Sequence, residues 1–360
     1  MDKICFLADA HSIHTRKWVQ YFSKIYNEIH VISMRETDYV YDRNVHVHVL
    51  KSSITNKLGY FLLIKEVKKL VKHINPDILH SHYATSYGMY GRMCNFHPFV
   101  ISVWGSDVYE FPKGNKVKEL LLKYILKGAD KVCSTSYNMA EETKKYCNKD
   151  IIITPFGVDI NKFKCDIPIL SSNFITIGVI KGLEKVYGID YLIEGFSKLI
   201  HEYCGTKELR LLIVGDGTQR VELQSLVKKL DISSKVTFTG KIDNEKVPEY
   251  INKMDIVCLP SLSESFGVSA VEACACGRPI IATEVGGLKE IIFDDYNGLI
   301  IKQKSSEDIK LKLIEIIENE ARMIEFSKNA RKLVQEKYNW FDNAKIMNNI
   351  YISLVNGKRK

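Results

Sequence analysis

The sequence lacks any apolar run long enough to cross a membrane. A membrane-spanning helix needs about 18–20 consecutive apolar residues. The longest candidates, residues 59–64 and 119–126, are short and flanked by lysines. The first residues resemble a signal peptide only briefly, because Asp9 interrupts their apolar stretch and no small-residue cleavage site follows. We therefore expect a soluble, cytoplasmic protein.

The cysteines lack the spacings of a redox or zinc site. There are nine of them, an odd number, with no Cys-x-x-Cys pair and no Cys/His cluster at zinc spacing. Cys274 and Cys276 lie one residue apart in a stretch predicted to be helical, where small buried thiols explain them. The pattern argues against a disulfide framework and against a structural zinc.

Length and composition predict a globular protein with two domains. With 46% hydrophobic and 26% charged residues, the chain is neither disordered, nor collagen-like, nor a long coiled coil. Its 360 residues exceed what one small core organises, which suggests two domains of about 150–180 residues each.

Positive charge is concentrated in the first half. Residues 1–165 carry 24 Lys and Arg against 16 Asp and Glu, whereas residues 166–360 carry 27 of each sign. An electropositive half favours an anionic partner, such as phosphate groups, an anionic membrane surface or nucleic acid.

Short apolar strands alternate with helical stretches in both halves. In the first half, strands are predicted at 3–9, 28–34, 44–50, 77–83, 99–105, 131–136 and 151–157, and helices at 15–25, 57–74 and 115–128. In the second half, strands are predicted at 174–180, 209–215, 235–240, 255–260, 278–283 and 298–301, and helices at 190–203, 218–230, 245–252, 267–276 and 305–338. This βαβ rhythm predicts an α/β fold with two Rossmann-like parallel sheets, each covered by helices on both faces.

The stretch 161–173 is the best linker candidate, because it has no helical period and contains Pro168. We predict a first domain over residues 1–165 and a second over 166–338. Two similar α/β halves are expected to hold a ligand in the cleft between them, at the C-terminal ends of their strands.

Residues 260–287 contain the strongest local signal. A strand is followed by a Ser/Gly-rich loop and by a helix that begins near Gly267. Free backbone N–H groups of residues 266–268, with about half a positive charge from the helix dipole, suit a phosphate. Glu264 and Glu272 lie eight positions apart, and a carboxylate can accept two hydrogen bonds from a vicinal diol. The alternative is that Glu272 caps a core helix and Glu264 is solvated.

This block resembles a known family. Glu264 and Glu272, with Ser265, Phe266 and Gly267 after the first, resemble the E-x7-E motif of retaining glycosyltransferases of family 4, which have the GT-B fold. The resemblance covers essentially the whole chain and is more specific in the second half. The further matching segments, in the family's order, are 8–18, 80–88, 103–109, 177–196, 213–217, 236–242 and 297–301.

The resemblance implies a nucleotide-diphosphate sugar donor in the second domain and an acceptor in the first. It implies transfer with retention of anomeric configuration, and a C-terminal helix over 339–360 that returns to the first domain. It also implies that no metal is needed, because positive side chains and helix N-termini stabilise the leaving diphosphate. The sequence agrees in containing no Asp-x-Asp motif.

Donor-site residues follow from the resemblance. Glu272 is expected to bind the ribose diol, and Glu264 to meet the donor sugar and its phosphates. The loop residues expected beside them are Ser265, Phe266, Gly267 and Val268.

The family's Arg and Lys for the diphosphate are changed here. Lys181 stands at the Arg place, Tyr187 stands where the Lys is common, and Lys185 is expected to take over the second charge. Both lysines should stabilise the leaving group. Gly215 and Gly217 either let the backbone approach the nucleotide or are turn glycines.

The acceptor side differs more from the family pattern. Many members have a His where this chain has Trp104, and Asp107 in the same loop remains a candidate ligand for a sugar or acceptor hydroxyl, with a catalytic role. For Asp9 we expect either of two roles equally, shaping its loop or binding the acceptor. The histidines at predicted strand ends, each either acceptor-binding or structural, are His11, His14, His80 and His82.

The predicted helix at 57–74 is basic and amphipathic. Its apolar residues at helical spacing are Tyr60, Phe61, Ile64, Val67, Leu70, Val71 and Ile74, and its lysines are Lys57, Lys65, Lys68, Lys69 and Lys72. Such a helix either lies on an anionic membrane or packs in the core with a solvated face. We expect no nucleic acid partner, because no recognised binding motif appears.

Taken together, these features predict a retaining, metal-independent hexosyltransferase, peripheral on the inner face of the membrane. The acceptor is expected to be a growing polysaccharide or a lipid-linked oligosaccharide. The loop at 105–107 and the residues at 14–18 resemble bacterial members that build capsule or O-antigen. The alternatives are a sugar-nucleotide epimerase and a sugar-nucleotide-binding protein that has lost catalysis.

Overall fold

The chain is described by a computed structural model over residues 1–51 and 57–358, which form two compact α/β units. The first unit contains Met1–Pro155 together with Asp342–Lys360, and the second contains Phe156–Phe341. Within the described residues, each unit is built on one parallel sheet, of seven strands in the first and six in the second.

The first unit alternates strands with helices. Its strands are β1 (Lys3–Leu7), β2 (Glu28–Ser33), β3 (Val45–Val49), β4 (Ile78–His82), β5 (Phe99–Val103), β6 (Lys131–Ser134) and β7 (Ile151–Ile153). Its helices before residue 156 are α1 (Ile13–Ser23), α2 (Lys57–Ile74), α3 (Ser86–Cys94), α4 (Ser106–Tyr109), α5 (Lys116–Lys127) and α6 (Tyr137–Lys144). The sheet order is β3-β2-β1-β4-β5-β6-β7, with every neighbouring pair parallel.

The second unit repeats this plan. Its strands are β8 (Phe174–Ile180), β9 (Glu208–Val214), β10 (Val236–Gly240), β11 (Ile256–Leu259), β12 (Ile280–Thr283) and β13 (Gly298–Ile301). Its helices are α7 (Ile189–Glu202), α8 (Arg220–Lys229), α9 (Val247–Asn252), α10 (Val268–Ala275), α11 (Ser306–Ile317) and α12 (Glu320–Lys337). The helix that follows, α13 (Trp340–Lys358), belongs to the first unit from Asp342 onward. The sheet order is β10-β9-β8-β11-β12-β13, again parallel throughout.

The burial of the strands explains their sequences. Every residue of β5, β11 and β12 is buried, which is why these strands read as continuous apolar runs. The edge strand β3 is only partly buried and therefore alternates Val with His. The predicted α/β fold with two Rossmann-like parallel sheets is confirmed.

Some predicted element bounds are wrong. The helix predicted at 305–338 is two helices, because Asn319 starts α12 by accepting a hydrogen bond of 3.0 Å from the N–H of Arg322. Helices α3 and α6 are not among the predicted elements. In α3 the sequence signal is weak because Gly91 faces the ring of Phe99, where a Cβ would lie 2.3 Å from that ring.

The change between units comes earlier than the predicted boundary at 165. The N–H of Val158 donates to the carbonyl of Tyr338 at 2.8 Å, and Arg331 of α12 donates to the carbonyl of Ile160 at 2.9 Å. These bonds tie the segment after Pro155 to the second unit.

The apolar side of α2 is packed into the core of the first unit. Val67, Val71 and Ile74 are buried there, and Ile64 and Leu70 pack against the same cluster. The predicted helix at 57–74 therefore takes its core-packing alternative over this stretch. The side chains of Lys57, Tyr60 and Phe61 lie outside the described part of the structure. Among the helices that the structure describes, none combines the length and hydropathy needed to span a bilayer.

Candidate functional site

In the second unit, the loop between β11 and α10 carries Glu264. Helix α10 begins after Gly267, whose φ of 101° is strained for any residue with a Cβ. Within the described residues, no side chain caps this helix. The first N–H groups of α10 are therefore suited to an anion.

Two glycines hold the backbone of this loop at close range. A Cβ on Gly286, whose φ is 48°, would lie 1.6 Å from the carbonyl oxygen of Glu264. The N–H of Gly287 donates to that same oxygen at 3.3 Å. A side chain at Gly287 would also meet the carbonyl of Phe266, at 2.3 Å. The close contact of Gly286 and Gly287 with this loop fixes the backbone position of Glu264.

The ring of Phe266 belongs to the core. It is buried and packs edge-to-face against Phe156, at 5.7 Å between centroids, and against Tyr338, at 5.9 Å. The ring is therefore part of the core of the second unit and is not exposed on the surface of the loop. Ser265 and Val268 on either side of Phe266 and Gly267 are half-buried.

The structure brings Lys181 and Glu264 together. Lys181 follows β8, and its ammonium forms an ion pair with Glu264 in which each side chain is 10% exposed. The same ammonium lies 4.5 Å from the centroid of the Tyr187 ring. Lys185, in the short turn after Glu184, is exposed, and no ion pair to it occurs among the described residues.

Contact with the loop after β8 explains the two glycines after β9. A Cβ on Gly215, whose φ is 137°, would lie 1.9 Å from the carbonyl oxygen of Lys181. One on Gly217 would lie 2.6 Å from that of Leu183. Both glycines thus allow two loops at the C-terminal edge of the sheet to touch, and the predicted approach of their backbone to a nucleotide stays a prediction. Glu272 lies half-buried on α10.

In the first unit, Asp107 is buried and bonded to backbone. Its carboxylate accepts hydrogen bonds from the N–H groups of Ala84 at 2.8 Å, Gly105 at 2.8 Å and Trp104 at 3.2 Å. Burial raises the pKa of Asp107, and these backbone hydrogen bonds oppose the rise. With 1% of its surface exposed, Asp107 holds two loops in place. It does not present its carboxylate to a sugar, which corrects its predicted catalytic role.

Trp104 and the predicted histidines form an aromatic cluster. The indole lies 4.3 Å from the ring of His82 and 5.9 Å from that of His14. Burial lowers the pKa of His14 to about 4, with Lys17 adding to the effect. Burial also lowers the pKa of His82 well below its usual value. Both rings are therefore neutral at physiological pH.

Two of these histidines differ in their partners. His80 is fully buried between the hydroxyls of Ser102, at 2.8 Å, and Tyr351, so its role is structural. His82 accepts or donates at Nδ1 to Thr15, at 3.2 Å, whereas its Nε2 has no partner among the described residues.

Asp9 and His11 share one loop after β1. The carboxylate of Asp9 accepts the N–H of His11 at 2.9 Å and pairs with Arg35 at 3.4 Å. The ring of His11 is exposed and lies 3.5 Å from the guanidinium of Arg16. The observed contacts of Asp9 are those of a residue that shapes its loop.

Two family models match this chain, one in each unit. Residues 3–136 match the model "Glycosyl transferase 4-like", and residues 164–333 match "Glycosyl transferases group 1". The chain belongs to the GT4-type glycosyltransferases.

Curated relatives of this glycosyltransferase align over most of its length. An uncharacterized glycosyltransferase of Methanocaldococcus jannaschii is 27% identical over 341 residues, covering 91% of this chain and 90% of that protein. The N-acetyl-alpha-D-glucosaminyl L-malate synthase of Bacillus anthracis is 29% identical over 298 residues, which cover 77% of this chain and 74% of that protein.

Solved structures show the same fold. Anabaena HepE in complex with UDP superposes with a TM-score of 0.83 at 18% identity, covering 98% of this chain and 100% of that one. The two Rossmann-like units of this glycosyltransferase therefore have the GT-B fold.

Sequence reasoning missed two residues of the glycosyltransferase. The sequence marks Tyr187 only as a departure from the family pattern, and nothing in it predicts that the ring lies beside the ammonium of Lys181. Tyr83 has a φ of 71° and places its ring 5.3 Å from Trp104. No sequence signal marks a tyrosine with this left-handed backbone.

Proposed function

We propose that this protein is a retaining glycosyltransferase that moves a sugar from a nucleotide-diphosphate donor to a saccharide or lipid-linked oligosaccharide. The observation that carries the proposal is the pairing of Lys181 with Glu264 in the loop that precedes the uncapped N-terminus of α10. A cation, a carboxylate and free N–H groups are the chemistry that a diphosphate-linked sugar requires.

The donor proposal has support from a structural neighbour. Anabaena HepE has been solved with UDP and with UDP-glucose. We assign the ribose diol to Glu272, the diphosphate to Lys181 and the start of α10, and a donor-sugar hydroxyl to Glu264. Lys185, exposed on the neighbouring turn, is the candidate for a second cation.

Transfer then proceeds on one face of the sugar. The bond between the anomeric carbon and the diphosphate oxygen breaks while the acceptor oxygen bonds to the same carbon from the same side. The acceptor's proton passes to the departing phosphate. The protein holds the leaving group with positive charge and supplies no nucleophile, and Lys181 with the helix N-terminus replaces a metal ion in this role.

The acceptor proposal rests on the first unit. His82 is as buried as Asp107, and its Nε2 has no partner among the described residues. The exposed His11 and the half-buried His14, whose ring lies 5.9 Å from that of Trp104, are therefore the candidates for the acceptor. Imidazole nitrogens can donate to or accept from hydroxyl groups. The resemblance of residues 14–18 and 105–107 to bacterial capsule and O-antigen enzymes suggests a cell-surface polysaccharide as the product.

We place the membrane contact on α5. Val117 is 75% exposed, Leu120 is 65% exposed, and Tyr124 follows on the same face of the helix. An apolar stripe bordered by lysines fits an anionic lipid surface at the cytoplasmic face. The exposed lysines in or beside this helix are Lys113, Lys116, Lys118 and Lys127.

Slow hydrolysis of a donor without acceptor tests the reaction class. Proton NMR of the sugar released from an α-linked nucleotide sugar should show the α-anomer first, before mutarotation. Release of the β-anomer would contradict retention. Formation of an epimeric sugar nucleotide with no transfer to any acceptor would favour the epimerase alternative.

A further inference from the structure

We propose that Tyr187 is a positioning residue that holds the ammonium of Lys181 against the donor's diphosphate. One cation on an aromatic ring would then serve where the family resemblance implies two cations. This inference rests on the proposed function, because it assigns Lys181 to a diphosphate.

The contact itself is well formed. The Nζ of Lys181 lies 4.5 Å from the ring centroid of Tyr187, inside the range of about 6 Å for a cation–π interaction. The Lys181 side chain is largely shielded from water. Shielding strengthens the attraction between an ammonium and the face of a ring.

The turn that carries Tyr187 is fixed on both sides. Its N–H donates to the carbonyl of Glu184 at 2.9 Å. Gly188, with a φ of 62°, packs so closely against Pro260 that a Cβ on Gly188 would lie 2.4 Å from the carbonyl oxygen of Pro260. The N–H of Leu262 donates to the carbonyl of Val186 at 2.7 Å. These contacts fix the position of the Tyr187 ring relative to the loop that carries Glu264.

Charge decides what the ring contributes. Glu264 forms an ion pair with Lys181, so a diphosphate must compete with that carboxylate for the ammonium. The ring of Tyr187 attracts the ammonium but has no net charge, so it restrains Lys181 without competing for it. Once the diphosphate takes Lys181, Glu264 is released to accept a hydrogen bond from a sugar hydroxyl.

The alternative to Tyr187 is that Lys185, which the sequence suggests as the second cation, assists Lys181 in binding the diphosphate. Its side chain is exposed and has no ion pair among the described residues. A solvated lysine on a turn is screened by water and adds little binding free energy. The two residues make different predictions, which one binding experiment separates.

The experiment measures dissociation constants of UDP and UMP by calorimetry, on the full chain and on Tyr187→Phe, Tyr187→Leu and Lys185→Ala. If UDP does not bind the wild-type protein, the pair UDP and UMP is replaced by GDP and GMP or by ADP and AMP. Tyr187→Phe keeps the ring and should bind the diphosphate like wild type. Tyr187→Leu should bind UDP about tenfold more weakly, with little change for UMP. Lys185→Ala should change both constants less than Tyr187→Leu changes that of UDP.

The comparison of di- and monophosphate guards against a folding artefact. Equal loss of UDP and UMP affinity in Tyr187→Leu would show a general structural effect and overturn the inference. Unchanged UDP binding in Tyr187→Leu would also overturn it, and would leave the proposed function standing. Absence of nucleoside diphosphate binding in the wild type would overturn both.

Discussion

The carboxylate of Asp107 accepts the backbone N–H of Ala84 at 2.8 Å, joining the loop after β4 to the loop after β5. Its other oxygen holds the N–H groups of Trp104 and Gly105. The carboxylate thus orders the loop that presents Trp104 to His82, although it is itself out of reach of solvent. A residue predicted to bind substrate instead shapes the surface where substrate is proposed to bind.

Asp107→Asn should destabilise the first unit. An amide group presents an N–H where a carboxylate oxygen accepts one, so a buried donor loses its acceptor, at a cost of about 1–3 kcal/mol. The thermal midpoint should fall, while nucleotide binding by the second unit stays near wild type. Asp38→Asn, at an exposed carboxylate of the same unit, is the matched control. Equal midpoints for the two variants would show that Asp107 holds no loop.

Glu272→Ala and Glu264→Ala should affect different steps. Loss of Glu272 removes the proposed ribose contact, so the dissociation constant for the donor nucleotide should rise about tenfold or more. Loss of Glu264 frees Lys181 from its ion pair, so nucleotide affinity should not fall, whereas the transfer rate should drop. Calorimetry and a transfer assay separate the two. Wild-type transfer by both variants would show that the site is assigned wrongly.

Stability should fall as the pH drops from about 6.5 towards 4. Burial lowers the pKa of His14 to about 4 and that of His80 to about 3, whereas an unfolded histidine binds a proton below about 6.5. The unfolded chain then binds more protons over this window, so acid favours unfolding, by up to about 1.4 kcal/mol per pH unit for each histidine.

Thermal midpoints at pH 7.5, 6 and 5 would measure this slope. His14→Phe should flatten it, and His201→Phe, at an exposed histidine of the second unit, should leave it unchanged. A wild-type midpoint that stays constant down to pH 5 would contradict the burial of neutral imidazoles.

Binding to vesicles should depend on α5. Wild-type protein should co-sediment with vesicles that contain phosphatidylglycerol, less so at high salt, and not with phosphatidylcholine alone. Leu120→Ser should weaken binding, because it removes apolar surface from the stripe. Leu311→Ser, at a leucine 51% exposed on α11, should not. Binding that ignores lipid charge, or equal behaviour of the two variants, would remove α5 from the account.

The fold was largely predictable because buried parallel strands carry their own signal. The runs at β5, β11 and β12 are apolar at nearly every position, and their spacing leaves room for crossover helices. Helix α3 escaped prediction because Gly88 and Gly91, which its packing requires, erase the helical pattern.

The candidate site was predictable where glycines and a motif mark it, around Glu264 and Gly267. It was not predictable where a side chain's role depends on its neighbours. Asp107 could not be assigned from sequence, because its three donors are backbone groups of two loops. The amphipathic pattern of α2 likewise does not say which partner covers its apolar side, and the structure shows the core there.

The most direct test of the account is a thermal-shift screen of the full protein, in the presence of a chelator, against UDP-, GDP-, ADP- and TDP-sugars. The account predicts that one nucleotide clearly raises the midpoint and that Glu272→Ala reduces the shift. A midpoint unmoved by all four, or one raised only when a divalent metal is restored, would contradict a metal-independent donor site.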